Sequence, residues 1–177
     1  MNGSEHERLR VAVDMTHIRR ITTDVAVVGA GGQLGRDLVK VLQTDGRFEV
    51  DAYDKCALDV SDAAECARTI AEGDYSAVVN CAALTNVDAC EENPEAAFAV
   101  NALGAWNVAS ACAATGSGDR APLCLYVSTD FVFGGGREAP YAESAAPDPV
   151  NVYGASKLAG EGLTRIAAPE GALVARV

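Results

Sequence analysis

Tyr153 and Lys157 stand four residues apart in Asn151-Val-Tyr-Gly-Ala-Ser-Lys157. On an α-helix that is about one turn, so the phenol and the ammonium share a face, about 6 Å apart along the axis. Together they could form a proton donor. A free tyrosine titrates near pH ~10 and an adjacent cation favours the phenolate, so Lys157 is expected to bring the Tyr153 pKa down toward neutrality. The same spacing also suits a half-buried tyrosine beside a solvated lysine. Proton donation has meaning only if other elements supply a carbonyl, a hydride source and a frame that holds both.

The first such element begins at Val25. Val25-Ala-Val-Val28 reads as a buried parallel strand. It runs into Gly29-Ala-Gly-Gly-Gln-Leu-Gly35, and Asp37-Leu-Val-Lys-Val-Leu42 follows at helical spacing. Strand, glycine turn and helix together are the context in which a glycine pattern becomes a phosphate site. The glycines permit a tight turn, close backbone approach to a pyrophosphate and close helix packing. Phe48–Tyr53 is a second strand, ending at Asp54, nineteen residues after Gly35. A carboxylate there could accept hydrogen bonds from an adenosine ribose, and a strand-end turn aspartate fits the same place. Lys55 leaves room for a 2′-phosphate, so NADP and NAD both stay open. Leu58-Asp59-Val60 reads as a short third strand or a turn, and Ser61 as the cap of a helix reaching about Glu72.

Ser76–Ala83 is a fourth strand, and its small terminal residues Ala82 and Ala83 could let a planar ring pack against backbone. Pro94 opens a long helix through Ala113. Asn101 lies within that apolar helix, as a structural hydrogen-bonder or as part of a water relay. Leu123–Val127, a fifth strand, delivers Ser128-Thr129-Asp130 at its C-terminal end, where open α/β sheets bind ligands. A loop stiffened by Pro140, Pro147 and Pro149 leads to the Tyr153–Lys157 helix, and Ala172–Val177 is a sixth strand in which the chain ends. The expected fold is α/β, a Rossmann-type doubly wound parallel sheet over residues 24–177, with a polar extension over 1–23 that holds one strand-like patch, Val11-Ala-Val13.

At 177 residues the chain suits one domain with a sizeable core. A net charge of −11 argues against nucleic acid as a partner. It leaves anionic small ligands open, because helix N-termini hold phosphate without lysines. No apolar run approaches the ~20 residues of a membrane span and the N-terminus has no apolar signal core, so no membrane partner and a cytoplasmic location are expected. The six cysteines include no Cys-x-x-Cys pair, and both histidines, His6 and His17, lie in the extension. No metal is expected, and a Ser-His-Asp or Cys-His hydrolase is disfavoured.

Four stretches carry a family likeness: Gly29–Arg36; Val79–Asp88 with Glu91–Glu95 and Val100–Ala102; Ser128–Phe133; and Pro149–Glu161. With these the chain resembles the extended short-chain dehydrogenase/reductases, and more narrowly the dTDP-4-dehydrorhamnose reductase family, over roughly residues 24–177. The resemblance implies NADPH- or NADH-dependent reduction of the 4-keto group of a dTDP-linked 6-deoxy sugar. It implies that Gly29, Gly32, Gln33, Leu34 and Gly35 hold the cofactor pyrophosphate, that Asp54, Asp59 and Val60 contact the adenosine end, and that Ala82, Ala83 and Leu84 line the nicotinamide-side ribose. Thr129 would bond the substrate carbonyl and Tyr153, Asp130 would touch the sugar, Tyr153 would donate the proton, and Lys157 would bind the nicotinamide ribose. It further implies that the family's C-terminal substrate-binding domain is missing from these 177 residues. Two alternatives follow from that gap and from the superfamily: a non-catalytic, regulatory NAD(P)-binding protein, and a nucleotide-sugar epimerase or dehydratase.

Overall fold

The computed structural model describes residues 22–116, 121–136 and 140–177. The strand-like patch at Val11 and the two histidines lie outside them. In chain order the elements are β1 (Thr23–Val28), α1 (Gln33–Thr44), β2 (Phe48–Tyr53), α2 (Ala63–Glu72), β3 (Ala77–Asn80), α3 (Val87–Glu92), α4 (Pro94–Phe98), a π-helical segment (Ala99–Leu103), α5 (Gly104–Ala114), β4 (Leu123–Ser128), a 3₁₀ turn (Asp130–Val132), α6 (Val152–Ala167) and β5 (Ala172–Arg176). The five strands form one parallel sheet in the order β2-β1-β3-β4-β5. The chain moves outward from β1 to β2, then returns across β1 to β3. This reversal places a crevice at the C-terminal ends of β1 and β3, the general ligand position of such sheets.

Two apolar layers hold the sheet. On one face Ala26, Val28, Val78 and Cys124 pack against α2 and α5 through Cys66, Ile70, Val108 and Cys112. On the other, Val25, Val27 and Val79 meet Leu38, Val39 and Leu42 of α1. Strand alternation sorts the residues: along β4, Cys124, Tyr126 and Ser128 are buried, while Leu123, Leu125 and Val127 face the α1 side and are more exposed.

Three expectations change. Leu58-Asp59-Val60 is a turn, so the sheet has five strands and Ala172–Arg176 is the fifth. Its backbone groups are already engaged: the Leu58 amide donates to Asp54 O, the Asp62 amide to Asp59 O, and the Asp59 amide to Glu65 Oε2. The cap of α2 is Asp62, which accepts from the amides of Ala64 and Glu65, while Ser61 donates to Asp59. Finally, Pro94–Ala114 is continuous helix of 21 residues, long and apolar enough by length and composition to cross a membrane. It packs against α2 and α6, with Val108, Ala109 and Cys112 fully buried.

Candidate functional site

The glycine turn is built by close approach. Gly29 has φ +80°, and a Cβ there would stand 2.5 Å from the Ala82 amide nitrogen at the end of β3. A Cβ at Gly35 would stand 2.4 Å from Gly29 O, so the first turn of α1 rests directly on the strand end. The start of α1 also differs from those of α2, α3, α4 and α6. Their first amides are capped by Asp62, Asn86, Asn93 and Asn151. Gly32 offers α1 no side-chain cap, and its first turn holds no acid. Free amides and the positive end of the helix dipole suit an anion.

Two cavities flank this turn and share Gly32, Cys81 and Ala83. The first, about 240 Å³, is lined by Gly29, Gly31 and Gly32, by Lys55, by Leu58-Asp59-Val60, and by Ala82-Ala83-Leu84. The second, about 480 Å³, is lined by Gln33, Leu34 and Gly35 on one side and by Thr129, Tyr153 and Lys157 on the other. Of the cofactor residues expected from sequence, only Asp54 stands outside both linings. Its Oδ1 accepts from the amides of Cys56 and Ala57, the pattern of a strand-end turn aspartate. Asp59 Oδ1 is likewise held, by the amide and hydroxyl of Ser61. Lys55 lines the cavity instead, and no salt bridge occupies its ammonium among the described residues.

Helix α6 delivers Tyr153 and Lys157 to the second cavity, capped by Asn151 Oδ1 on the Gly154 amide at 2.7 Å. Both residues are buried. The Tyr153 ring packs edge-on against Phe131, centroids 5.5 Å apart. The Lys157 ammonium donates to Val127 O at 2.6 Å and sits 4.2 Å from the centre of the Tyr126 ring. Thr129 Oγ1 donates to Asp130 Oδ1 and accepts from the Phe131 amide. The electrostatics correct the expectation for the phenol. Burial pushes the Tyr153 pKa up, the Thr129 hydroxyl opposes this, and Asp130 and Cys90 add to the rise. Burial lowers Lys157 to about 8, against the pull of Cys81 and Glu161. In this arrangement the ammonium is turned to a main-chain carbonyl, and desolvation dominates the phenol.

Asn101 is a structural hydrogen-bonder. Fully buried, it pairs with both backbone groups of Leu84 and donates to Ser156 Oγ. The π-helical segment leaves its carbonyl to Tyr126 Oη at 2.7 Å, and Gly160 of α6 packs on the same oxygen. The line from Ala82 to Leu84 is thereby tied to the helix that carries Tyr153. Sequence reasoning gave no role to Tyr126 or Ser156. The signal available for Tyr126 was its inward phase on β4, shared with Cys124 and Ser128. Among the described residues no group of three or more His, Cys, Asp or Glu is placed to hold a metal.

Residues 23–177 match the sequence model of a family described as RmlD substrate binding domain. The chain is 39% identical over 173 residues to a dTDP-4-dehydrorhamnose reductase of Mycolicibacterium smegmatis, covering 97% of this chain and 48% of that protein. It is 41% identical over 154 residues to a dTDP-4-dehydrorhamnose reductase of Mycobacterium tuberculosis, covering 85% of this chain and 48% of the relative. The crystal structure of a dTDP-4-dehydrorhamnose reductase from Bacillus anthracis in complex with NADP superposes with a TM-score of 0.82 at 34% identity, covering 89% of this chain and 54% of that one. The chain spans about half the length of the curated relatives it matches.

Proposed function

The chain belongs to the RmlD substrate binding domain family, and from that premise we propose that it carries the cofactor-binding and proton-donating part of an NAD(P)H-dependent reductase of a dTDP-linked 4-keto-6-deoxy sugar. The observation that carries the reading is convergence: the uncapped start of α1 and the side chains of Thr129, Tyr153 and Lys157 line one cavity at the C-terminal edge of a parallel sheet.

The residues present fit a dinucleotide. Gly29, Gly32, Gln33, Leu34 and Gly35 would hold the pyrophosphate on backbone amides, Asp59, Val60 and Lys55 would border the adenosine end, and Ala82, Ala83 and Leu84 would flank the nicotinamide ribose. A bound nicotinamide cofactor supplies the hydride for the carbonyl carbon. Tyr153 donates its proton to the carbonyl oxygen; a phenol raised by burial keeps that proton at neutral pH. Thr129 orients the same oxygen, Asp130 touches the sugar, and Lys157 holds the ribose and offsets the phenolate left after donation. Lys55, with Asp54 drawn into its turn, favours NADPH over NADH.

The test is NADPH oxidation by the 177-residue chain with dTDP-4-dehydrorhamnose, with the sugar product identified. Turnover that survives Tyr153→Phe unchanged contradicts the assignment. Saturable NADPH binding with no product would reduce the assignment to cofactor binding.

A further inference from the structure

Glu161 is fully buried one turn beyond Lys157 on α6. Its carboxylate has a complete set of partners. Oε1 accepts from Ser128 Oγ at 2.7 Å and from Arg176 Nε at 2.8 Å, and Oε2 accepts from Arg176 Nη2 at 2.6 Å. Arg165, at 3.7 Å, adds a second cation from the same helix. Ser128 and Arg176 are register partners on β4 and β5, so the carboxylate joins both strand ends. Phe133 covers the Arg176 guanidinium, 5.0 Å from ring centre to carbon. Lys157 and Glu161 therefore grip consecutive residues of β4, the first through Val127 O and the second through Ser128 Oγ, immediately before Thr129.

We propose that Glu161 is a positioning residue for the Tyr153–Lys157 site: it locks α6 to the strand end that presents Thr129, and its balance with Arg176 sets the field in which the Lys157 ammonium is held. The part given to Lys157 rests on the reductase reading, but the clamp and its test do not require a cofactor.

Cys81 and Glu161 are the groups whose charge supports the Lys157 ammonium, and Glu161 is the carboxylate of the two. Just past β3, Cys81 lies near the ammonium, and burial raises its thiol. From β4, Tyr126 faces it, and burial raises that phenol as well. Tyr153 on α6 is raised too, by burial first, with Cys90 from α3 and Asp130 from the 3₁₀ turn adding to it. The two phenols are thereby held further from ionisation than a free tyrosine. Burial alone would raise the Glu161 carboxyl, but hydrogen bonds from Arg176 and Ser128, with the charges of Arg176 and Arg165, reverse that and keep it ionised. Removing the anion leaves Arg176 to repel Lys157. Removing Arg176 leaves the carboxylate to Ser128 and Arg165, an anion with less positive charge beside it.

The chain has three lysines, Lys40, Lys55 and Lys157, so 13Cε-lysine labelling gives a spectrum in which each can be titrated. In the wild type Lys157 is expected to titrate at about 8. Glu161→Gln, nearly isosteric, should move that midpoint down by about one pH unit, and Arg176→Met should move it up. A purely structural part for Glu161 would lower Tm in both variants and leave the Lys157 midpoint in place; that result, or shifts of the same sign, overturns the proposal. Should Glu161→Gln fail to fold, the direction of the Arg176→Met shift decides alone. Parallel NADPH titrations keep the two ideas separate: opposite shifts without NADPH binding uphold the clamp and defeat the reductase reading.

Discussion

Gly29 and Gly135 share a backbone conformation and differ in their surroundings, which makes a controlled perturbation. Their φ angles are +80° and +76°. Replacing either by alanine places an L-residue in the left-handed region, at a cost of about 1–2 kcal/mol. At Gly135 no atom lies within 4 Å of the added Cβ, so that is the whole cost. At Gly29 the Cβ would stand 2.5 Å from Ala82 N and 2.7 Å from both Ala82 Cα and the Cys81 carbonyl carbon, all main-chain atoms that cannot rotate away. Strand β3 and the glycine turn must then separate, adding roughly 1–3 kcal/mol of overpacking. Gly29→Ala should therefore destabilise by about 2–5 kcal/mol and Gly135→Ala by about 1–2 kcal/mol. Because the turn and the β3 end line the same cavity, Gly29→Ala should also weaken NADPH binding, and Gly135→Ala should not. Urea unfolding at constant m, followed by Trp106 fluorescence, reads the first difference, and an NADPH titration of each variant reads the second. Equal destabilisation by the two substitutions would refute the close-approach argument.

Lys55→Met should reduce NADPH affinity about tenfold, roughly 1.4 kcal/mol, and leave NADH affinity unchanged; equal losses for both cofactors would remove Lys55 from the 2′-phosphate site. Asn101→Leu strips both Leu84 backbone groups of their partner and should cost on the order of 2–4 kcal/mol in thermal or urea unfolding, with Tyr153 chemistry slowed as the Ser156 contact is lost. Burial holds Lys157 in the folded chain at about 8, below the ordinary lysine value of 10.5. Between those values the unfolded chain binds more protons, so this group's contribution to stability rises with pH across that window. Lys157→Met should remove that rise from the pH dependence of unfolding, and an identical pH profile in the variant would contradict the depressed value.

The parts of the site legible in sequence were those set by local geometry. Four residues from Tyr153 to Lys157 fix one helix face, and a strand, glycine turn and helix in succession fix the Gly29–Gly35 crossing. What was not legible depends on partners distant in sequence or on side-chain direction. Asp54 ends a strand at the right distance, but the amides of Cys56 and Ala57 draw its carboxylate into a turn. Leu58–Val60 has strand composition, yet its backbone is committed to Asp54 and Glu65. Ser61 and Asp62 are both good caps, and the choice followed from Asp59 holding the serine. The phenol was expected to be lowered by Lys157, but neither the burial of the site nor the pull of Val127 O on the ammonium can be read from a spacing. Glu161 and Arg176, fifteen residues apart, meet only because β5 lies in register with Ser128.

The central claim is that the Gly29–Gly35 turn and the Tyr153–Lys157 helix face form a single dinucleotide site. Calorimetric titration of the folded chain with NADPH tests it most directly. Saturable binding at one cofactor per chain, weakened by Lys157→Met with no change in stoichiometry, is the predicted result. No measurable heat of binding from folded protein, or binding that Lys157→Met leaves untouched, would contradict it.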